Sequence, residues 1–194
     1  IPYAITSFGY CILKLQSAVS PSFGGGRGEV AVFFNFQEQK LSQSCERFVE
    51  DPRVAHEITL EIDEYGNVLQ SAQIVYPRAN TPAFLPSEVV DAQEKMHLTY
   101  SRNTYTNDVL NNDLEYRLRL PSETISCELY APSYSSGLCS KSILFALVDA
   151  MSISDYSTAM TGGSAILRKL SHSKTLYREN DALTALPLGD LESL

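Results

Sequence analysis

Paired metal ligands, paired cysteines and clustered positive charge are all scarce in this sequence. There are three histidines and four cysteines in 194 residues, and no C-x-x-C spacing. A zinc knuckle or dithiol redox motif needs closely paired cysteines, and a metal site needs two or three convergent ligands. His56, His97 and His172 have no companion ligand at short or helical spacing, so they read as structural or surface residues. Cys11, Cys45, Cys127 and Cys139 are widely scattered, and no pairing among them follows from spacing. They read as free cysteines acting as small apolar residues.

Positive charge is in deficit: 15 Lys and Arg stand against 23 Asp and Glu, a net charge of −8. A phosphate-binding surface needs a clustered basic excess, so nucleic acid is not an expected partner. Long apolar runs are missing too. The longest, Ile143 to Val148, falls far short of the roughly 20 residues that span a bilayer. Gly24 to Gly28, GGGRG, lacks the G-K-[ST] ending of a phosphate loop and precedes a strand, not a helix; it reads as a linker or hairpin loop. Without a G-x-S-x-G turn, a Ser–His–Asp triad has no support. A pairing of Cys127 with His97 or His56 has none either. Glu61 and Asp63 read more simply as the wet side of a strand than as a glycosidase pair. No catalytic, cofactor-binding or metal-binding residue is identified, and no cofactor is expected.

What is present is β-structure. In His56 to Arg78, HEITLEIDEYGNVLQSAQIVYPR, residues Ile58, Leu60 and Ile62 alternate with Glu57, Thr59 and Glu61. A period of two marks a half-buried strand. Asp63 opens a turn whose carboxylate can accept from backbone N–H groups two residues on, and Gly66 takes the left-handed position before Asn67. Val68, Ala72, Ile74 and Tyr76 mark the return strand. Asp63, Gly66 and Asn67 are therefore the structural turn residues of this chain.

Elsewhere, Tyr10 to Gln16 reads as a strand and Val19 to Gly28 as a loop. Glu29 to Phe36 reads as a strand apolar on both faces, to be buried on both sides or stacked on aromatic neighbours. Leu41 to Val49 reads as a further strand, broken by Asp51-Pro52. Pro77 to Pro86 is irregular, and Ser87 to Lys95 is a short helix capped by Ser87. Met96 to Thr106 returns to β, Asn107 to Asp113 is a turn, and Glu115 to Leu120 and Thr124 to Tyr130 are strands parted by Pro121. Ser140 to Met151 is the best helix, with Ser140 as cap and Ile143, Leu144, Leu147, Val148 and Met151 on one face. Ser152 to Gly163 is loop-like, and Ile166 to Arg178 reads as a long strand. The sum is mainly β with one or two short helices. No β-α-β alternation points to a doubly wound sheet.

Six segments carry a resemblance. PYAITSFGYCILKLQ (Pro2 to Gln16) resembles PYxVTExxYxVRxLQ, and EVAVFFNFQEQKLSQSCER (Glu29 to Arg47) resembles AVFFxxxRExLxxxYER. DPRVAHEITLEIDEYGNVLQSAQIVYPR (Asp51 to Arg78) is similar to DPRIxHxxTLEVDxxGNVLKSAxIxYxRR. LTYSRNTYTNDV (Leu98 to Val109) resembles ITYTENxYTNxV, and YRLRLPSETISCEL (Tyr116 to Leu129) resembles YRxPLPCETRTYEL. KTLYRENDALTALPLGDLESL at the end resembles RTLYRxxDLxxxLPLGxLESL. In this order they are similar to the B component of bacterial insecticidal toxin complexes, a TcdB-like middle/C-terminal region within the Rhs/YD-repeat superfamily. Ser122 stands where the family pattern has cysteine and Gln37 where it has a basic residue, and Ala131 to Ser164 matches poorly.

The resemblance implies a fold of antiparallel β-hairpins belonging to a spiralling Rhs/YD-type sheet, with residues 1–194 as a single segment of a larger shell. It implies a non-catalytic wall segment that helps to encapsulate a cytotoxic C-terminal effector for delivery. The alternative is a free-standing β-rich binding or adhesion module of a cell-surface protein. The implied partners are the remaining Rhs shell and the C component with its effector. The pore-forming A component is reached through a propeller-type domain that has no counterpart in these residues. The implied location is secreted, although no signal peptide is visible; a start at Ile1 without methionine reads as a piece of a longer protein. Such a piece leaves strand edges and apolar faces uncovered. Expressed alone, it is expected to aggregate or to fold only in part. Size-exclusion chromatography and thermal unfolding check this, and a monodisperse monomer with one sharp transition would contradict it.

Overall fold

The structure is a computed structural model that describes residues 2–19, 30–45, 50–81, 84–112, 115–130, 137–161 and 163–192. The Gly24–Gly28 loop and Val49, at the end of an expected strand, lie outside these residues. The chain divides into two compact units: Ile1–Val68 with Gln73–Met96, and Leu69–Ala72 with His97–Leu194. Among the described residues the architecture is mainly β, antiparallel in nearly all its pairings, with two short helices.

In the first unit β1 (Ala4–Val19) pairs antiparallel with β2 (Val30–Ser44), from Ala4↔Ser44 to Val19↔Val30. Three register shifts interrupt the ladder, the first at Gly9/Tyr10. β2 is one continuous strand where the apolar pattern suggested two. The polar stretch from Gln37 to Lys40 stays in the ladder because Lys40 pairs Phe8 and Gln39 pairs Gly9, and backbone hydrogen bonds do not require apolar side chains. Burial on both sides is not observed for this strand at Val32 and Phe33, which are 45% and 59% exposed. Phe34 and Phe36 do stack, with ring centroids 6.1 Å apart.

β3 (Arg53–Ile62) runs antiparallel to β2 from Gln39↔Ile58 to Ser44↔Arg53, and is followed by β4 (Val68–Val75). Alternation decides what is buried: His56, Ile58 and Leu60 on β3, Ala72 and Ile74 on β4. Helix α1 (Ser87–Gln93) starts one residue earlier than expected. Pro86 is its N-cap, in an extended conformation and with no side chain to accept from the first turn. Ser87 sits inside that turn, where its hydroxyl donates to Glu88 at 3.2 Å.

In the second unit β5 (His97–Tyr105) pairs antiparallel with β8 (Pro121–Tyr130), and β8 pairs antiparallel with β10 (Ile166–Lys174). β9 (Ile153–Ser154) adds a short parallel pairing to β10, inside what the sequence presents as loop. β6 (Val109–Asn112) and β7 (Glu115–Arg117) form a separate small hairpin. The turn expected over Asn107 to Asp113 is thus largely strand: Val109 is buried and pairs with Arg117, which outweighs the Asn/Asp composition. β7 stops at Arg117 rather than Leu120, and β10 at Lys174 rather than Arg178. Pro121 opens β8 instead of preceding it, a place where a missing N–H is tolerated.

Helix α2 (Lys141–Asp149) is capped by Ser140, whose Oγ accepts from the Ile143 N–H at 3.3 Å. Its Leu144 and Val148 are buried and Ile143 is exposed. Leu98, Tyr100, Ile125, Cys127, Leu129 and Leu167 of the second unit are buried as well. Ile74, with no exposed surface, is the most enclosed side chain of β4. Ile74→Ala is expected to cost roughly 2–5 kcal/mol of local stability. Faster hydrogen exchange of the β3 and β4 amides in the intact chain is the readout.

Candidate functional site

The residues singled out as a turn make a closed hydrogen-bonded unit. The Asp63 backbone N–H donates to the Asn67 carbonyl at 2.9 Å, and its own carbonyl accepts from Gly66 N–H at 3.1 Å. Asp63 Oδ1 accepts from the Tyr65 and Asn67 N–H groups at 2.9 and 2.8 Å, while Oδ2 accepts from Asn67 Nδ2 at 2.9 Å. A carboxylate saturated in this way holds the loop and is not poised as an acid or base. Gly66 has φ +85°, and a Cβ there would run into the Phe34 ring. Two independent constraints therefore fix glycine at this position, one from backbone conformation and one from close approach.

Other polar side chains are spent in a similar way. At the far end of the β3–β4 hairpin, Arg78 pairs with Asp51 at 3.0 Å, and Asp51 also accepts from the Ala79 N–H at 3.0 Å. Arg78 N–H donates to the Gln93 carbonyl at 2.8 Å, which ties the strand exit to the end of α1. His56, 3% exposed, has Nδ1 3.0 Å from Tyr76 Oη and Nε2 3.3 Å from Gln39 Oε1.

In the second unit Arg119 is clasped by Asp108 through Nε at 3.1 Å and Nη2 at 2.5 Å. Asn107 behaves like a strand neighbour of the C-terminal segment: its Oδ1 accepts from Leu191 N–H at 2.6 Å and its Nδ2 donates to the Leu191 carbonyl at 3.2 Å. Arg117 adds a bond to the Glu192 carbonyl at 3.1 Å. Across β8 and β10, His172 Nε2 lies 2.6 Å from Glu123 Oε1, with Lys174 at 3.6 Å. The His172 bond, reinforced by the charges of His172 and Lys174, holds the Glu123 carboxyl below its ordinary range. Burial pushes the Cys127 thiol up, against the pull of Arg102 and Lys169. A thiol kept protonated is a poor nucleophile.

All four cysteines are free. No cluster of three or more His, Cys, Asp or Glu able to hold a metal ion occurs among the described residues. Glu61 and Asp63 are not a facing pair, since Asp63 turns inward to its own loop.

Residues 1–118 match a model of the family described as insecticide toxin TcdB middle/C-terminal region. The chain belongs to this family. Its fold is similar to part of a chain in the crystal structure of TcdB2-TccC3-Cdc42, with a TM-score of 0.62 and 22% sequence identity. That alignment covers 97% of the present chain and 8% of the solved one, so the chain spans a small fraction of the length of the protein it matches. No curated protein matches it. Within the TcdB middle/C-terminal match lie the turn at Asp63–Asn67, the Asp51–Arg78 clamp and the His56–Tyr76 contact.

The clamps escaped the sequence reading because each joins residues far apart in the chain. Asp51 and Arg78 do bracket the hairpin segment, and a charge pair at the two ends of a predicted hairpin is the signal that could have found them. Asn107 looked like turn composition, and nothing in its local pattern points to Leu191. Gly66→Ala is expected to destabilise the hairpin by about 2–4 kcal/mol, from left-handed strain plus overpacking on Phe34. Asp63→Ala is expected to cost about 1–3 kcal/mol through unsatisfied loop N–H groups. Amide exchange at residues 58–72 measures both, and a wild-type rate in Gly66→Ala would contradict the assignment.

Proposed function

We propose that this chain is a structural wall segment of a secreted toxin-complex B component, in which successive β-hairpins build a shell that encloses a cytotoxic C-terminal effector for delivery. Its residues 1–194 act together as one stretch of that wall and perform no catalysis. The observation that carries this reading is the fold correspondence, over 97% of the chain, with part of the chain solved in TcdB2-TccC3-Cdc42. The partners are then the remaining shell and a C component that supplies the effector. The pore-forming A component is engaged elsewhere on the same protein.

The surface supports a wall role. β1 and the outer half of β2 present Phe8, Tyr10, Ile12, Leu15, Val32 and Phe33 with 45–69% of their surface exposed. Apolar faces of this extent mark surfaces built to be covered. The polar residues described above bind backbone and one another, which suits a load-carrying sheet. Asp63, Gly66 and Asn67 set the hairpin that carries the wall from β3 to β4.

The test uses the full-length B component carrying this segment, co-expressed with its C component. The enclosed effector is expected to resist added protease, and excision of residues 56–78 is expected to make it sensitive. Equal resistance after excision would overturn the reading. So would electron microscopy that places this chain outside any shell, as a detached binding module.

A further inference from the structure

His56 is a buried titratable group that the wall role does not use. Its ring lies against Tyr76, with centroids 6.2 Å apart, and both nitrogens are engaged, one to each neighbouring side chain. With the Gln39 amide oxygen toward Nε2 and the Tyr76 hydroxyl toward Nδ1, a neutral ring can donate to one neighbour and accept from the other. This network is complete when the ring is neutral. The Gln39 side chain lies directly over Gly9, where a Cβ would meet its Cγ at 2.6 Å.

We propose that His56 is an acid-sensitive latch: protonating its ring puts an uncompensated buried cation into the Gln39–His56–Tyr76 row and loosens β3 from β2 and from the exit of β4. A second ring proton turns both ring nitrogens into donors, and it places a cation at a site 3% exposed.

The surrounding groups do not offset that charge. On the His56 side of the sheet β2 offers Gln39, Leu41 and Gln43, with Cys45 just beyond it, and β1 offers Ile5, Ser7 and Gly9, with Tyr3 beyond it. Glu38 and Lys40 alternate to the other side, where Lys40 bonds Glu57 at 2.8 Å. Beyond β4 come Tyr76 and then Arg78, whose charge already occupies Asp51. On α1 and its C-cap, Glu88, Asp91 and Glu94 are exposed. Burial accordingly lowers the His56 pKa from its ordinary 6.5. The unfolded chain then binds more protons than the folded one below about pH 6.5, so stability is full above that value and is lost as pH falls towards the folded pKa.

The latch stands independently of the shell reading, since it concerns only the opening of this sheet. The experiment is hydrogen exchange of the Val54–Ile58 amides in the intact protein at about pH 7.5 and about pH 5, corrected for intrinsic rates. Protection is expected to fall by up to about tenfold per pH unit in the wild type. In His56→Gln, which keeps a polar group but cannot titrate, protection is expected to stay flat. A flat wild type, or an equal loss in His56→Gln, would overturn the proposal. Should His56→Gln not fold, the wild type decides: protection of the Val54–Ile58 amides is expected to fall with the same midpoint at which the His56 ring titrates by NMR, and two separate midpoints reject the latch.

Discussion

Register between β3 and β4 is the constraint on which the first unit depends. The turn closes with Asp63 and Asn67 bonded to each other, and the bond from Tyr76 N–H to the Val54 carbonyl lies equally far along each strand from that closure. No residue has slipped between the two points. A shift of one would carry His56, Ile58 and Leu60 to the opposite face, since side chains alternate. The carboxylate of Asp63, the left-handed Gly66 and the amide of Asn67 are thus upstream of the core itself, because they decide which residues compose it.

The ion pairs serve a different end. Arg78 and Asp51 are 12% and 9% exposed, and Arg119 and Asp108 are 22% and 13% exposed. Pairs this enclosed recover by mutual attraction little more than their desolvation costs, so they are weak sources of stability. Their geometry is specific nonetheless. Asp51 accepts from a backbone N–H as well as from its arginine, and Asp108 does the same with the Arg119 N–H at 2.7 Å. Each fastens an irregular connection to the strand beside it, where no ladder can form.

What was legible in the sequence was whatever depends on local pattern. The period of two in Ile58, Leu60 and Ile62, and the capped face of Ser140 with Leu144 and Val148, are properties of short segments, and the structure has both. Strand limits were less legible, since they depend on partners. Gln37 to Lys40 joins one long strand because β1 lies alongside, and Asn107 to Asp113 gives way to β6 because Val109 finds a buried place. Pro86 displaced Ser87 as cap through backbone conformation that composition does not report. The exposure of Val32 and Phe33 was misjudged because apolarity records a requirement for cover without naming what supplies it.

The closeness of the β3–β4 turn has a kinetic consequence. Asp63 to Asn67 closes a loop of three intervening residues, whereas β1 and β2 meet at Val19 and Val30, with ten residues between them. Shorter loops lose less chain entropy on closing, and nearby contacts form earlier. Of these two closures, the one between β3 and β4 is then the first to form. Its free β3 edge offers the template onto which β2, and after it β1, are added in the reverse of their order of synthesis.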